Sequence, residues 1–270
     1  RFNDNVNPAD VQNNLIEVFG NAEAKTYGSD NQLKITTNYK VDVEGSEVDT
    51  EIQEKMFESL KKYLPVNILY DDFVINGSDD KMVGIMSSSK VGPTIADDIK
   101  KNSVLAIFGS LLVVFLYILL RFRDWQYSLG AVAAVFHDVL IVLGVFSIAY
   151  TWMPFNMEIN QAFIAALLTV IGYSLNDTVV VFDRIREYSI LHKKSSTESI
   201  IDTALNSTLS RTINTSLSTF LVLLTIFIFG GESIKGFSFA LMVGVIVGTY
   251  SSLFIATPSV VDLSKKKITA

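Results

Sequence analysis

Residues 159–183 read INQAFIAALLTVIGYSLNDTVVVFD, an apolar run with one acidic residue, Asp177, in its interior. Ile159–Asn176 is 18 residues without a charge, and five more uncharged residues separate Asp177 from Asp183. A helix that crosses a bilayer needs about 20 mostly apolar residues, so this stretch predicts a transmembrane helix. A charged side chain inside the hydrocarbon costs at least about 2.5–3.5 kcal/mol on insertion scales, so Asp177 is a candidate functional residue.

Four other stretches are long and apolar enough to cross a membrane, which makes five predicted spans. The first of them holds 19 residues without a charge and ends just before Arg121. The predicted spans are about 102–120, 127–150, 159–182, 208–230 and 236–258. The predicted fold class is therefore a membrane α-helical bundle formed by residues 102–270.

The charges in the short loops indicate the orientation of this bundle, because cytoplasmic loops carry an excess of Lys and Arg. The loops on one side, around 151–158 and 230–235, carry only Lys235. Nine Lys and Arg fall on the other side, namely Arg121, Arg123, Arg184, Arg186, Lys193, Lys194 and Lys265–Lys267. That side and the C-terminus are predicted to be cytoplasmic. Residues 1–90 are then expected outside, which in a bacterium is the periplasm.

The composition changes at about residue 100. Residues 1–100 contain 10 Lys/Arg and 18 Asp/Glu, a net charge of −8, whereas residues 101–270 contain 12 and 10, a net charge of +2. This split excludes a single soluble globule and a nucleic-acid-binding protein that relies on net positive charge. The absence of cysteine excludes a disulfide framework, thiolate catalysis and a Cys-based metal site. The chain opens at Arg1 without a visible signal peptide, so we expect a fragment, a processed product or half of a larger chain.

Residues 1–90 have the pattern of a small split βαβ domain, with residues 91–101 as a linker to the bundle. Asn7 and Pro8 predict the start of a first helix, and Gly20 predicts its end. The other predicted elements are a strand at 33–43, a helix at about 50–63, and strands at 66–75 and 82–87. The domain has no phosphate loop, His/carboxylate cluster or nucleophile constellation. We therefore expect docking or substrate contact rather than enzyme activity, and no metal or cofactor.

Three further ionisable residues fall inside the predicted spans: Arg211, His137 and Asp138. At about 1.5 Å per residue, Asp177 lies about 9 Å from the cytoplasmic end of its helix, and Arg211 lies about 6 Å in from the same side. These depths match within the reach of an arginine, which predicts a pair of opposite charges on adjacent helices. His137 and Asp138 lie about 15 Å deep, near the midplane.

The predicted pair of Asp177 and Arg211 would work as a proton switch. Moving a guanidinium towards and away from a buried carboxylate releases and takes up a proton. The structural alternatives are that Arg211 extends to the cytoplasmic headgroups and that Asp177 only fixes helix packing. For the other pair the structural interpretation is favoured, with His137 as a hydrogen-bonded helix contact and Asp138 as a cap on a neighbouring helix.

The last predicted span repeats a small residue at every fourth position, at Ala240, Gly244, Gly248 and Ser252. Small residues at this spacing let two helix backbones approach closely in a membrane. The favoured interpretation is a packing face without a further role.

The segment 171–187, IGYSLNDTVVVFDRIRE, closely resembles the signature of the SecF family, the smaller partner of the SecD–SecF protein-export pair. The resemblance is close over about residues 90–262 and loose over 1–90. Other matching stretches follow in order: Val91-Gly92-Pro93, Phe122-Arg123-Asp124-Trp125, His137-Asp138-Val139, Arg211-Thr212, Phe229-Gly230-Gly231, Gly236-Phe237-Ser238 and Gly244 to Gly248.

The resemblance implies an accessory subunit of the Sec translocon in the bacterial inner membrane, related to the resistance–nodulation–division transporters. The family is thought to use the proton gradient to help pull unfolded preproteins out on the periplasmic side. Its intramembrane Asp and Arg match Asp177 and Arg211, and His137, Asp138 and Asn176 are weaker candidates for the proton relay. The implied partners are SecD, the Sec channel, unfolded preproteins and the lipid bilayer, and no nucleic acid.

The resemblance also implies a six-helix unit and a ferredoxin-like periplasmic domain. Family members have a spanning helix before that domain, and this sequence begins after its expected place. The SecD half is also missing, so the chain is expected to be the tail of a fused SecD–SecF protein or part of a SecF. Two other functions remain open, namely a proton-driven small-molecule exporter of the same superfamily and a scaffold of the translocon that conducts no protons.

Overall fold

A computed structural model shows how the chain folds into two compact units. The first unit comprises residues 1–100 and 154–156, and the second comprises 101–153 and 157–270. The structure describes residues 1–43, 45–74, 83–150, 152–192 and 195–268. Thr151, Lys193 and Lys194, on which part of the predicted loop assignment and orientation depends, lie outside the described residues. The same holds for the side chains of Lys265–Lys267.

The first helix, α1 (Pro8–Phe19), begins and ends where the sequence predicts. The side chain of Asn7 accepts a hydrogen bond from the Ala9 amide at 3.0 Å, which satisfies one of the free donors of the first turn. Gly20 ends the helix with a φ of 73°, a conformation that glycine adopts without strain. The apolar face of α1 is buried in the core of the first unit at Val11, Leu15 and Phe19.

Two antiparallel strands, β1 (Ala22–Tyr27) and β2 (Ser29–Thr37), follow α1 as a hairpin. The strand predicted at 33–43 is correct only up to Thr37, because residues 39–42 form a turn in which Lys40 has a φ of 47°. The helix predicted at 50–63 is α2 (Ser46–Leu60), which continues into a 3₁₀ turn at Lys61–Tyr63. Lys40 donates to Glu51 of α2, and with Tyr39 and Lys55 this contact lowers the pKa of the Glu51 carboxyl to about 2.

The two strands predicted after α2 are wrong over the residues that the structure describes. Residues 66–69 are irregular and are followed by a short helix, α3 (Tyr70–Val74). Asp71 and Asp72 lie in its first turn, where negative charge is favourable. Residues 83–87 form bends and irregular backbone. Ile75 and Met82, which belong to these two predicted strands, lie outside the described residues.

Among the described residues, five helices are long and apolar enough to cross a membrane, which confirms the predicted helical bundle. The first begins at Pro93, so most of the predicted linker 91–101 is helical. The last of them, α8 (Glu232–Ser251), continues through a π-helical turn, Ser252–Ala256, into α9 (Thr257–Ile268), beyond the predicted end near residue 258. The other helices of the bundle are α4 (Pro93–Phe122), α5 (Trp125–Ala149), α6 (Gln161–Leu191) and α7 (Thr197–Phe229).

The predicted small-residue face of α8 packs directly against α6. A Cβ atom added to Gly244 would lie 2.0 Å from Cγ2 of Val170, and one added to Gly248 would lie 2.9 Å from Cβ of Ser174. Side chains at these positions would overlap α6, so glycine is required for the observed backbone approach. This contact confirms that the face packs closely against another helix, and it holds α6, which carries Asp177, in a fixed register against α8.

Candidate functional site

Asp177 and Arg211 lie together, as their predicted depths require. Nη1 of Arg211 on α7 is 3.7 Å from Oδ1 of Asp177 on α6. The Asp177 side chain is only 2% exposed, whereas that of Arg211 is 44% exposed. The pair therefore joins a buried carboxylate to a cation that still reaches the surface of the chain.

The second oxygen of Asp177 contacts a group of hydroxyls that the sequence analysis missed. Ser216 of α7 donates a hydrogen bond to Asp177 Oδ2 at 3.3 Å. Thr249 of α8 donates to Ser216 Oγ at 2.6 Å, and the Tyr173 hydroxyl of α6 lies 3.5 Å from the same oxygen. Thr208, Thr212 and Ser216 recur every fourth residue on α7 and are all buried. This spacing marks one face of the helix but does not indicate which of its hydroxyls contacts a carboxylate.

His137 and Asp138 form a second polar cluster, separate from the first pair. The Asp138 side chain is fully buried, and its Oδ2 accepts hydrogen bonds from Ser174 of α6 at 2.6 Å and Ser251 of α8 at 2.8 Å. Nδ1 of His137 lies 3.2 Å from Oδ1 of Asp138. This carboxylate therefore ties α5 to α6 and α8. It is hydrogen-bonded to side chains of two other helices and does not cap a helix end.

Asn176, the third of the weaker candidates, lies on a different face of α6 from Asp177. Its side chain is exposed, whereas that of the adjacent Asp177 is buried, because consecutive helical residues point about 100° apart. Asp183, six residues further on, forms an ion pair with Arg121 at 3.0 Å between partly exposed side chains. Over the residues that the structure describes, no group of three or more His, Asp or Glu side chains could hold a metal ion.

Comparison with known proteins gives this site its context. Residues 74–266 match the family model described as protein export membrane protein SecD/SecF, C-terminal. The protein translocase subunit SecF of Rhodothermus marinus is 46% identical over 254 residues, which cover 94% of this chain and 75% of that protein. The protein translocase subunit SecDF of Brucella abortus is 47% identical over 176 residues, which cover 65% of this chain and 22% of that protein.

A solved structure agrees with these relatives. A crystal structure of SecDF in a Super-membrane-facing form matches with a TM-score of 0.60 and 28% identity, over 92% of this chain and 30% of that chain. The resemblance seen in residues 171–187 is thus confirmed by sequence over most of the chain and by fold. The chain therefore belongs to the SecD/SecF family of protein-export membrane proteins, and within that family it matches the SecF translocase subunits.

Proposed function

We propose that this chain couples proton movement across the membrane to a late step of preprotein translocation, with Asp177 and Arg211 as the switch. The observation that carries the proposal is the 3.7 Å contact between a buried carboxylate and a partly exposed guanidinium inside two spans. Ionisable residues within spans are rare and mark ion pathways and proton relays. The family membership supplies the second half of the proposal, the export of proteins.

In this mechanism, protonation of Asp177 removes the charge that attracts Arg211. The two side chains then separate, and α7 shifts relative to α6. Loss of the proton restores the carboxylate and the pair. Each proton that crosses the membrane releases about 2.3 kcal/mol per 100 mV, which is enough to bias such a two-state shift.

The proposed setting is the bacterial inner membrane, with residues 1–90 in the periplasm and the C-terminus in the cytoplasm. The Lys and Arg content of the loops supports this orientation. The proposed partners are a SecD subunit or SecD half, the Sec channel and unfolded preproteins. The SecDF relative, of which this chain covers 22%, supports a SecD partner.

We also propose that residues 1–90 form a ferredoxin-like domain. The Phe2 amide donates to the Asn31 carbonyl of β2 at 2.8 Å, and Arg1 exchanges two backbone hydrogen bonds with Gly84, at 2.8 and 2.9 Å. Residues 1–2 thus lie between β2 and residue 84, while β1 lies on the other side of β2. A split βαβ sheet has this order, with the first and third strands adjacent at its centre.

The test is the export of a model preprotein into membrane vesicles that hold the complete complex, with and without a proton gradient. Asp177→Asn should remove the gradient-dependent part of export and leave the gradient-independent part intact, because the amide cannot exchange a proton at this step. Asp183→Asn is the matched control, since it neutralises a partly exposed carboxylate of the same helix. If Asp177→Asn responds to the gradient like wild type, Asp177 only holds the helices together and the chain is a scaffold.

A further inference from the structure

The two oxygens of Asp177 have different partners. Oδ1 faces the Arg211 guanidinium at 3.7 Å, and Oδ2 accepts a hydrogen bond from Ser216 at 3.3 Å. The cation and the hydroxyl therefore do not compete for one oxygen. A proton can reach Oδ2 without first displacing Arg211.

The side chain of Ser216, on α7, contacts side chains of both α6 and α8. The residue is 7% exposed, and its Oγ accepts a hydrogen bond from Thr249 at 2.6 Å. The Tyr173 hydroxyl lies 3.5 Å from the same Oγ. Hydroxyl groups both donate and accept hydrogen bonds, so this cluster can pass a proton along by exchanging one O–H bond for the next.

The hydroxyls extend from Asp177 in the direction opposite to Arg211. Ser216 lies five residues beyond Arg211 on α7, about 7.5 Å along the axis, and Tyr173 lies four residues before Asp177 on α6, about 6 Å. Both displacements along the helix axes point towards the same end of the bundle, where α6 begins and α7 ends. Thr169, one further turn along α6, is exposed.

We propose that Ser216 is the relay hydroxyl through which Asp177 takes up its proton, with Thr249 and Tyr173 as the hydroxyls that supply Ser216. This inference rests on the proposed proton-coupled function. In the step itself, Ser216 gives its hydroxyl proton to Asp177 Oδ2 and accepts one from Thr249 or Tyr173. That hydroxyl is reprotonated by hydronium from the aqueous phase, so each O–H bond that breaks is replaced.

The test compares Ser216→Ala with Ser218→Ala in the vesicle export assay with the complete complex at equal abundance. Ser218 is the matched control, because it is an exposed serine on the same helix. Removing the relay should lower the gradient-dependent export rate about a hundredfold, the lower end of what a positioned proton-transfer group contributes. Gradient-independent export should not change. Equal gradient-dependent rates in the two variants would overturn the relay.

Two further variants separate the relay from packing. Ser216→Thr keeps a hydroxyl and should retain most of the gradient-dependent rate, and a Thr variant as inactive as Ala would contradict the proposal. Thr249→Val removes the neighbouring hydroxyl without changing the volume and should give a partial loss. If Ser216→Ala does not assemble, the double variant Thr249→Val/Tyr173→Phe provides the test, because it removes both hydroxyls that supply Ser216. An unchanged gradient-dependent rate in that double variant would overturn the relay.

The failure of the relay is distinguishable from the failure of the switch. If Asp177→Asn loses gradient-dependent export and Ser216→Ala keeps it, the relay is wrong and the switch remains. If both variants keep it, both proposals are wrong.

Discussion

The two buried carboxylates of the bundle are stabilised by different kinds of partner. Asp177 has one hydroxyl donor and a guanidinium that is 44% exposed, so its cationic partner can move away towards the surface of the chain. Asp138 has two serine donors and an adjacent histidine, all within the bundle. A carboxylate with a detachable partner suits a switch. A carboxylate with several fixed donors suits a clamp between helices.

Because Asp138 holds α5 to α6 and α8 through hydrogen bonds, we expect its replacement to destabilise the bundle strongly. Asp138→Ala removes the acceptor of Ser174 and Ser251 and should lower the free energy of unfolding by about 2–4 kcal/mol, because buried donors without acceptors cost about 1–3 kcal/mol each. The cost for Ser251 is reduced, since its hydroxyl also reaches the Gly248 carbonyl at 3.2 Å. Asp138→Asn keeps one acceptor oxygen and should cost less. Thermal unfolding in detergent measures both, and an Ala variant as stable as wild type would contradict the clamp.

For individual residues, the sequence predicted the charged pair but not the hydroxyls beside it. Asp177 and Arg211 could be matched because charges inside spans are rare and their depths follow from counting residues. Ser216 and Thr249 could not be selected, because serine and threonine are common in membrane helices and bond to their own backbone. Which of them faces a carboxylate depends on the rotation of α7 and α8, which packing determines.

At the scale of elements, glycines decide how closely α6 and α8 approach. The sequence predicted this face from the spacing of small residues, and helix start signals such as Asn7 and Pro8 were equally reliable. Over the residues that the structure describes, the strands predicted at 66–75 and 82–87 are wrong, because short apolar runs do not distinguish a strand from other structure. Val66 illustrates the failure, since it belongs to the apolar pattern and is fully exposed.

The close approach predicts that Gly244→Ala destabilises the bundle. The added Cβ would lie 2.0 Å from Cγ2 of Val170, so the helices must separate, at a cost of about 1–3 kcal/mol for an overpacked contact. Gly144→Ala is the control, because no atom lies within 4 Å of its added Cβ and alanine favours the helix. Thermal unfolding in detergent should show a lower midpoint for Gly244→Ala only. Equal midpoints for the two variants would exclude a tight α6–α8 contact.

At the scale of the whole molecule, two units with different chemistry share one chain. The composition indicates an acidic N-terminal part, with five apolar spans after it. The division between the units at residues 100 and 101 falls inside α4, a continuous helix that the sequence treated as a linker followed by a span. Hydropathy could not show this, because the first turns of α4 are polar and only the later ones have the apolar signal of a span.

Measuring proton movement itself tests the proposed Asp177–Arg211 switch without relying on export rates. The complete complex is placed in sealed vesicles that contain a pH-sensitive dye, and a proton gradient is imposed across their membrane. Proton flow is then recorded while a preprotein is exported. Wild type and the Asp183→Asn control should show a proton flux that depends on the preprotein, and Asp177→Asn should show none at equal complex abundance. A flux in Asp177→Asn equal to that of wild type would contradict the proton switch.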